Sequence, residues 1–169
     1  MDQNLESKLE LKNKIFNFYN LHKFKIYILI TIFAISVFSL IFFKYNDERK
    51  NILLAEKYVE AGLNLASNKN ESAKLLYEEI ILSKNKFYSI LALNVIIDKD
   101  LISDRNKILG YFKLLENSIT DKDYNDLISL KKAIFLMKGP NIEKGKIYLK
   151  ALVDSNSTLK SVAQELLEK

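Results

Sequence analysis

The 169-residue sequence contains no cysteine and no tryptophan, one histidine, one proline and four glycines. Without cysteine the chain has neither a disulfide framework nor a thiolate metal site. So few glycines and prolines disfavour a sheet with many tight turns and a glycine-rich phosphate-binding loop. The hydrophobic share of 49% excludes global disorder. The length allows one domain, or one domain with an attached segment.

The formal net charge of +5 comes from an excess of lysine. Only Arg49 and Arg105 are arginines, and the lysines alternate with acidic residues along the whole chain. Arginine is the residue preferred for forked recognition of phosphate groups and base edges. A sequence with two arginines and no basic cluster is therefore predicted not to bind nucleic acid.

One segment, residues 26–43, contains 18 residues without a charge, IYILITIFAISVFSLIFF. A helix of this length is about 27 Å long, close to the thickness of the hydrocarbon layer of a bilayer. The hydroxyl groups of Thr31, Ser36 and Ser39 can bond back to the carbonyls of their own helix. We predict a transmembrane helix that contacts lipid. The alternatives are a buried core helix, which needs a larger protein around it, and a cleaved signal peptide, for which no small-x-small cleavage pair follows the apolar run.

Basic residues flank this segment on both sides, with Lys23 and Lys25 before it and Lys44 and Arg49 after it. Long basic side chains at both ends of a span can reach the lipid headgroups. Five lysines precede the span within 20 residues and four basic residues follow it, so the positive-inside rule predicts a cytoplasmic N-terminus by a narrow margin. The predicted organisation is a cytoplasmic tail (1–25), a transmembrane helix (26–43) and a periplasmic domain (44–169) in the bacterial inner membrane.

Every periodic stretch after the span has the 3.6-residue repeat of a helix, which predicts an all-α domain. The predicted helices cover residues 47–66, 70–83, 86–98, 104–119, 121–137, 141–153 and 158–169. The first continues the membrane helix, with a core stripe of Ile52, Ala55, Tyr58 or Val59, Gly62, Leu63 and Ala66. Asn70 is predicted to cap the second helix, Ser103 or Asp104 the fourth, and Gly139 to end the fifth in the C-cap position.

Small residues recur where two helices must cross closely. Ala61 and Ala73 are twelve residues apart across one turn, and Ala133 and Gly145 are twelve apart across another. A large residue, Tyr77 after the first pair, follows four positions on. This spacing is similar to the tetratricopeptide repeat, a helix-turn-helix unit of about 34 residues. Ala92 opens a middle unit that fits the pattern poorly, and an ordinary helical bundle is the alternative.

The order of a short tail, one span and a tetratricopeptide-like domain resembles the ancillary subunits of the bacterial Sec translocon. Three segments carry the resemblance: residues 86–93 (KFYSILAL), 126–136 (DLISLKKAIFL) and 159–167 (LKSVAQELL). The resemblance implies an inner-membrane protein that lies beside the translocon and meets emerging polypeptides or periplasmic chaperones.

No set of residues predicts an enzyme or a cofactor site. His22 is the only histidine, so it cannot form a relay or a histidine metal site alone. The pairs Glu56 with Glu60 and Asp100 with Asp104 have helical spacing, but they are predicted to face solvent beside lysines, where nothing separates their pKa values.

The leading functional prediction is a membrane-anchored protein-binding module without catalysis, metal, cofactor or small-molecule substrate. Its partners would be translocon subunits, chaperones or client polypeptides. The alternative is a structural subunit of another membrane complex.

Overall fold

A computed structural model describes residues 3–168, with side-chain placements for residues 12–168 except those at positions 15, 18, 19 and 26. The described chain is all-helical and contains no strand, which confirms the predicted all-α class. The helices are α1 (Gln3–Ala66), α2 (Asn70–Leu82), α3 (Tyr88–Asp98), α4 (Arg105–Ser118), α5 (Lys122–Met137), α6 (Ile142–Asp154) and α7 (Lys160–Leu167).

The chain divides into two compact units, Met1–Lys50 and Asn51–Lys169. The first unit consists of the N-terminal part of α1. The second contains the end of α1 and the helices α2 to α7. Helix α1 has no break between the apolar run and Ala66, as the sequence predicts.

The start of α4 is capped as predicted, whereas the start of α2 is not. The Asp104 carboxylate accepts hydrogen bonds from the backbone N–H groups of Asn106 (2.8 Å) and Lys107 (3.3 Å). Such a bond satisfies amides that have no partner within the helix. The prediction that Asn70 caps α2 is wrong, because Asn70 is already the first helical residue and Lys69 occupies the cap position.

Four of the turns between helices contain a residue other than glycine in the left-handed region. Asn68, Lys84, Asp100 and Asn156 adopt positive φ angles of 48–58°, in the left-handed region, whereas no described glycine does. The prediction of a glycine cap at the end of α5 is therefore wrong. Asparagine and aspartate, which occupy three of these four positions, tolerate this region better than most residues, so those turns form without glycine. The fourth position, Lys84, has no such preference.

Gly139 instead leaves space for the guanidinium group of Arg105, which a Cβ atom at Gly139 would meet. The Arg105 guanidinium lies 4.1 Å from the ring centroid of Phe135 and donates a hydrogen bond of 2.8 Å to the Phe135 carbonyl oxygen. The planar guanidinium can stack its face on the ring while an N–H group at its edge donates the hydrogen bond. A lysine ammonium has no planar face to stack. This contact joins the start of α4 to the last turn of α5.

Two hydrophobic clusters form the core of the second unit. The larger one contains buried residues of α1 to α5, among them Ala61, Tyr77, Ile96, Phe112 and Phe135. The smaller one contains residues of α5, α6 and α7, namely Leu130, Ala133, Leu149, Leu152 and Ala163. Helix α5 therefore contributes to both clusters.

The predicted core stripe of α1 is correct at Tyr58, given as the alternative to Val59, and is otherwise displaced by about one residue. Ile52, Val59 and Leu63 are 54%, 61% and 65% exposed. The residues that pack against the core are Leu54, Tyr58, Ala61 and Leu65. Apolar residues lie on two adjoining stripes of this helix, so periodicity alone does not select one. The stripe that turns inward is the one that lets Ala61 meet α2.

The contact between α5 and α6 depends on a glycine. A Cβ atom at Gly145 would lie 2.7 Å from the Ala133 carbonyl oxygen and 3.2 Å from the Met137 backbone nitrogen. Backbone atoms cannot move aside as a flexible side chain can. In contrast, a Cβ atom at Gly110, on α4, would meet nothing within 4 Å.

We predict that Gly145→Ala lowers the free energy of unfolding by about 1–3 kcal/mol, because the added methyl group forces α5 and α6 apart. Gly110→Ala is the matched control and should stabilise the protein by about 0.5–1 kcal/mol, because alanine favours the helix. Thermal unfolding of the full chain in mild detergent, followed by the near-ultraviolet circular dichroism of tyrosine, measures both. Equal effects of the two substitutions would contradict the close packing at Gly145.

Candidate membrane span and candidate binding cleft

The apolar run lies on the helical stretch Asn20–Ala66, whose most apolar 18-residue window is 0% buried. This is the single helix of the described chain that is long and apolar enough to cross a membrane. Phe38 is 73% exposed and Leu29 is 70% exposed. The Thr31 hydroxyl donates a hydrogen bond of 2.8 Å to the Tyr27 carbonyl oxygen, which confirms the predicted back-bonding for this residue. An uncovered helix of this kind suits lipid and not water.

The four predicted flanking residues, Lys23, Lys25, Lys44 and Arg49, are all exposed. The Arg49 guanidinium carbon lies 5.5 Å from the ring centroid of Tyr45. Such a cation–π contact is compatible with the interfacial layer of a membrane, where both side chains are favoured.

The predicted packing residues are all buried. Ala61, Ala73, Ala92 and Ala133 have no exposed surface, Tyr77 is almost fully buried, and Gly145 is buried. Tyr77 lies edge-to-face with Tyr58, with 5.6 Å between ring centroids. Burial raises the pKa of Tyr77, and the nearby Tyr58 adds to the shift. These residues pack the helices against one another.

A cleft of about 180 Å³ lies between α3 and α5. Its lining residues are Asn94, Ile97 and Asp98 from α3, Lys131, Ile134 and Phe135 from α5, and Lys138 just beyond α5. Ligand sites for whole small molecules are usually about 300–1,000 Å³. The cleft therefore has room for a short part of a polypeptide, and it is too small for most cofactors.

Lys131 is the unusual group in this cleft. It is half-buried, and it makes no hydrogen bond or ion pair with any residue that the structure describes. Burial lowers the pKa of Lys131, and the attraction of Asp98 opposes this shift only in part. An ammonium group that is partly desolvated and unpaired destabilises the free protein.

Lys132, the next residue, is satisfied. Its ammonium group lies 2.8 and 2.9 Å from the two carboxylate oxygens of Glu116 and 4.5 Å from the ring centroid of Tyr148. Burial by itself would lower the pKa of Lys132, but the hydrogen bonds to Glu116 and Tyr148 outweigh it and the pKa is raised. Two adjacent lysines on α5 therefore differ sharply in environment.

No pattern in the sequence singles out Lys131, which lies in the 126–136 segment that carries the family resemblance. It is one of two adjacent lysines between apolar residues of one helix, and adjacent residues point about 100° apart, so their environments need not be alike. Two larger depressions, of about 470 Å³ near Gly62 and about 340 Å³ near Lys150, are lined mainly by exposed residues. The lysines that line them, Lys99 and Lys150, are exposed.

The predicted carboxylate pairs face solvent as expected. Glu56, Glu60, Asp100 and Asp104 are all exposed. No group of three or more metal-ligating side chains occurs among the described residues. The absence of catalysis stays a prediction.

No protein-family model, curated protein or solved structure matches this chain. The resemblance to ancillary translocon subunits consequently stays a prediction based on the three segments given above.

We predict that Lys131→Met stabilises the protein at neutral pH by about 0.5 kcal/mol, a value kept small because a half-exposed charge is screened by water. The pKa of Lys131 is lower in the folded state than in the unfolded state, where it is 10.5. The charged side chain therefore destabilises the protein fully at pH values below the folded pKa, and this destabilisation is lost as the pH rises through 10.5. The gain from Lys131→Met should shrink over the same alkaline range.

Lys132→Met is the matched control and should destabilise the protein by about 1–3 kcal/mol, because it leaves the Glu116 carboxylate without its partner. Thermal unfolding of the full chain in detergent at several pH values measures both variants. A loss of stability in Lys131→Met at neutral pH would contradict the environment described for Lys131.

Proposed function

We propose that this protein is a single-pass membrane protein whose helical domain binds other proteins. The observation that carries the proposal is the 18-residue apolar window of α1, which no part of the described chain covers. Burying such a surface in lipid is favourable by roughly 25 cal/mol per Å². The basic residues at both ends favour retention as an anchor. The alternative is that this segment is a signal sequence and is cleaved off. The mass of the chain after carbonate extraction distinguishes the two.

The proposed topology has residues 1–25 in the cytoplasm and residues 44–169 in the periplasm. It is supported by the excess of one basic residue before the span. The lack of cysteine is compatible with an oxidising compartment.

We interpret the domain as a tetratricopeptide-like array of helical hairpins. The support is that the predicted small residues are buried in pairs, with Ala61 and Ala73 fully buried and Gly145 against the Ala133 carbonyl oxygen. Such arrays bind polypeptides along the surfaces of stacked helices. With the resemblance of the three segments, this interpretation favours an association with the Sec translocon, its chaperones or its clients.

A second candidate function is a structural subunit of another membrane complex. The exposed apolar residues Ile52, Val59 and Leu63 favour it, because they form one stripe on the part of α1 that follows the apolar run. A helix of a permanent partner is the kind of surface that would cover such a stripe.

We predict that the native chain stays in the membrane fraction after alkaline carbonate extraction, with the mass of the full sequence. Ile35→Arg combined with Phe38→Arg should release it into the soluble fraction, because each arginine at the centre of a span costs about 2.5–3.5 kcal/mol. Val59→Arg combined with Leu63→Arg, outside the span, is the control and should remain in the membrane. A mature chain that begins after residue 43 would identify a signal sequence and overturn the anchor.

Two further measurements test the topology and the partners. A C-terminal tag should be digested by protease added to spheroplasts, and protection would contradict the periplasmic placement.

Purification in mild detergent at native expression should recover translocon subunits, and recovery of the protein alone would count against that association. A fixed stoichiometric complex with another protein would favour the structural subunit.

A further inference from the structure

We propose that the cleft between α3 and α5 receives a carboxylate group of a partner polypeptide, with an adjacent apolar side chain of the same partner. This inference rests on the proposed function as a protein-binding module. It names the chemistry of the segment that the module binds.

The charges of the cleft favour an anion. Lys131 and Lys138 bring two ammonium groups to its wall, whereas Asp98 brings one carboxylate. Asp98 is exposed at the rim and makes no ion pair with Lys131 in the described chain. A carboxylate that enters the cleft would therefore supply the partner that Lys131 lacks. Bonds between an ammonium and a carboxylate are about twice as strong as those between neutral groups.

A second polar group points to the same ligand class. Asn94, on α3, is half-buried in the cleft, and its side chain makes no hydrogen bond to any of the described residues. Its amide can donate hydrogen bonds to a carboxylate oxygen. Among the described residues, the buried side-chain atom without a hydrogen-bond partner is Asn125 Oδ1, so Asn94 and Lys131 keep contact with water in the free protein. Both can exchange that water for the oxygens of an external carboxylate, and the charge of Lys131 favours this exchange.

The rest of the lining is apolar and fixed. Ile97 and Ile134 are half-buried there, and Phe135 is buried. The Phe135 ring is held between Arg105, at 4.1 Å, and the ring of Phe112, at 5.9 Å. Such a surface suits an aliphatic or aromatic side chain and does not need to rearrange. A free inorganic anion would leave it uncovered, which favours an acidic residue beside an apolar one in a polypeptide.

The test is the selection of a random dodecapeptide library, displayed on phage, against the full chain in lipid nanodiscs, with empty nanodiscs as the background. The expected result is enrichment of aspartate or glutamate next to leucine, isoleucine or phenylalanine. A synthetic copy of the most enriched peptide, and a version in which asparagine or glutamine replaces each acidic residue, are then titrated by fluorescence anisotropy.

The acidic peptide should bind at least about tenfold more tightly than its neutral version. Lys131→Met should remove this difference, Lys131→Arg should keep most of it, and Asp98→Asn should strengthen binding of the acidic peptide. Lys113→Met, an exposed lysine on α4 outside the cleft, is the matched control and should bind like the native chain. The near-ultraviolet spectrum of each variant verifies that it is folded.

The inference is overturned if no peptide is enriched, if the neutral version binds as well as the acidic one, or if Lys131→Met binds like the native protein. Enrichment of lysine or arginine would also overturn it, because Asp98 would then be the group that recognises the partner. These outcomes leave the proposed function standing if partners still co-purify with the Lys131→Met variant. Failure of the carbonate extraction test, in contrast, overturns the anchor and says nothing against the cleft.

Discussion

Helix α5 must bury residues on two sides at once, and the packing of the second unit depends on this constraint. Ile128 and Phe135 belong to one hydrophobic cluster, and Leu130 and Ala133 to the other. A helix that is covered on two sides has little solvent-facing surface left, so a polar residue within it must find a partner or remain partly desolvated. Lys132 finds Glu116 on α4. Lys131 faces α3, where no described residue pairs with its ammonium group. Its side chain lines the cleft between α3 and α5.

Several lysines form ion pairs with carboxylates on other helices. Lys57 pairs with Glu79 at 2.7 Å, and Glu78 receives both Lys107 at 2.5 Å and the hydroxyl of Tyr111 at 2.9 Å. The pKa of Tyr111 is raised by burial and by this hydrogen bond. The ion pairs of three lysines, Lys57, Lys107 and Lys132, thus connect different helices. The +5 net charge is spread along the sequence and includes the flanks of the apolar run. That the protein does not bind nucleic acid stays a prediction.

The proposed membrane anchor would change the affinity that the cleft needs. Confinement near a membrane partner would raise the effective concentration of the domain, so a weak contact with one carboxylate and one apolar side chain would be sufficient. The small volume of the cleft fits this interpretation better than it fits tight binding of a whole ligand. The exposed stripe of Ile52, Val59 and Leu63 is a separate surface. Under the proposed function, recognition of a client and attachment to a neighbouring subunit would therefore not need to compete.

The sequence by itself determined the helical class, the uncovered apolar helix and the small residues at the crossings, because each depends on local composition and on a period of 3.6. It also limited the cap of α4 to Ser103 or Asp104, since a side chain that bonds to its own helix start is a local feature, and the structure selects Asp104. Only the tertiary structure decided which stripe of α1 turns inward, because both stripes are apolar and the choice depends on the approach of Ala61 to α2. It likewise decided that Gly139 makes room for Arg105, and that Lys132 is paired while Lys131 is not. Those outcomes depend on which helix lies opposite each residue, and no local pattern in the sequence encodes that neighbour.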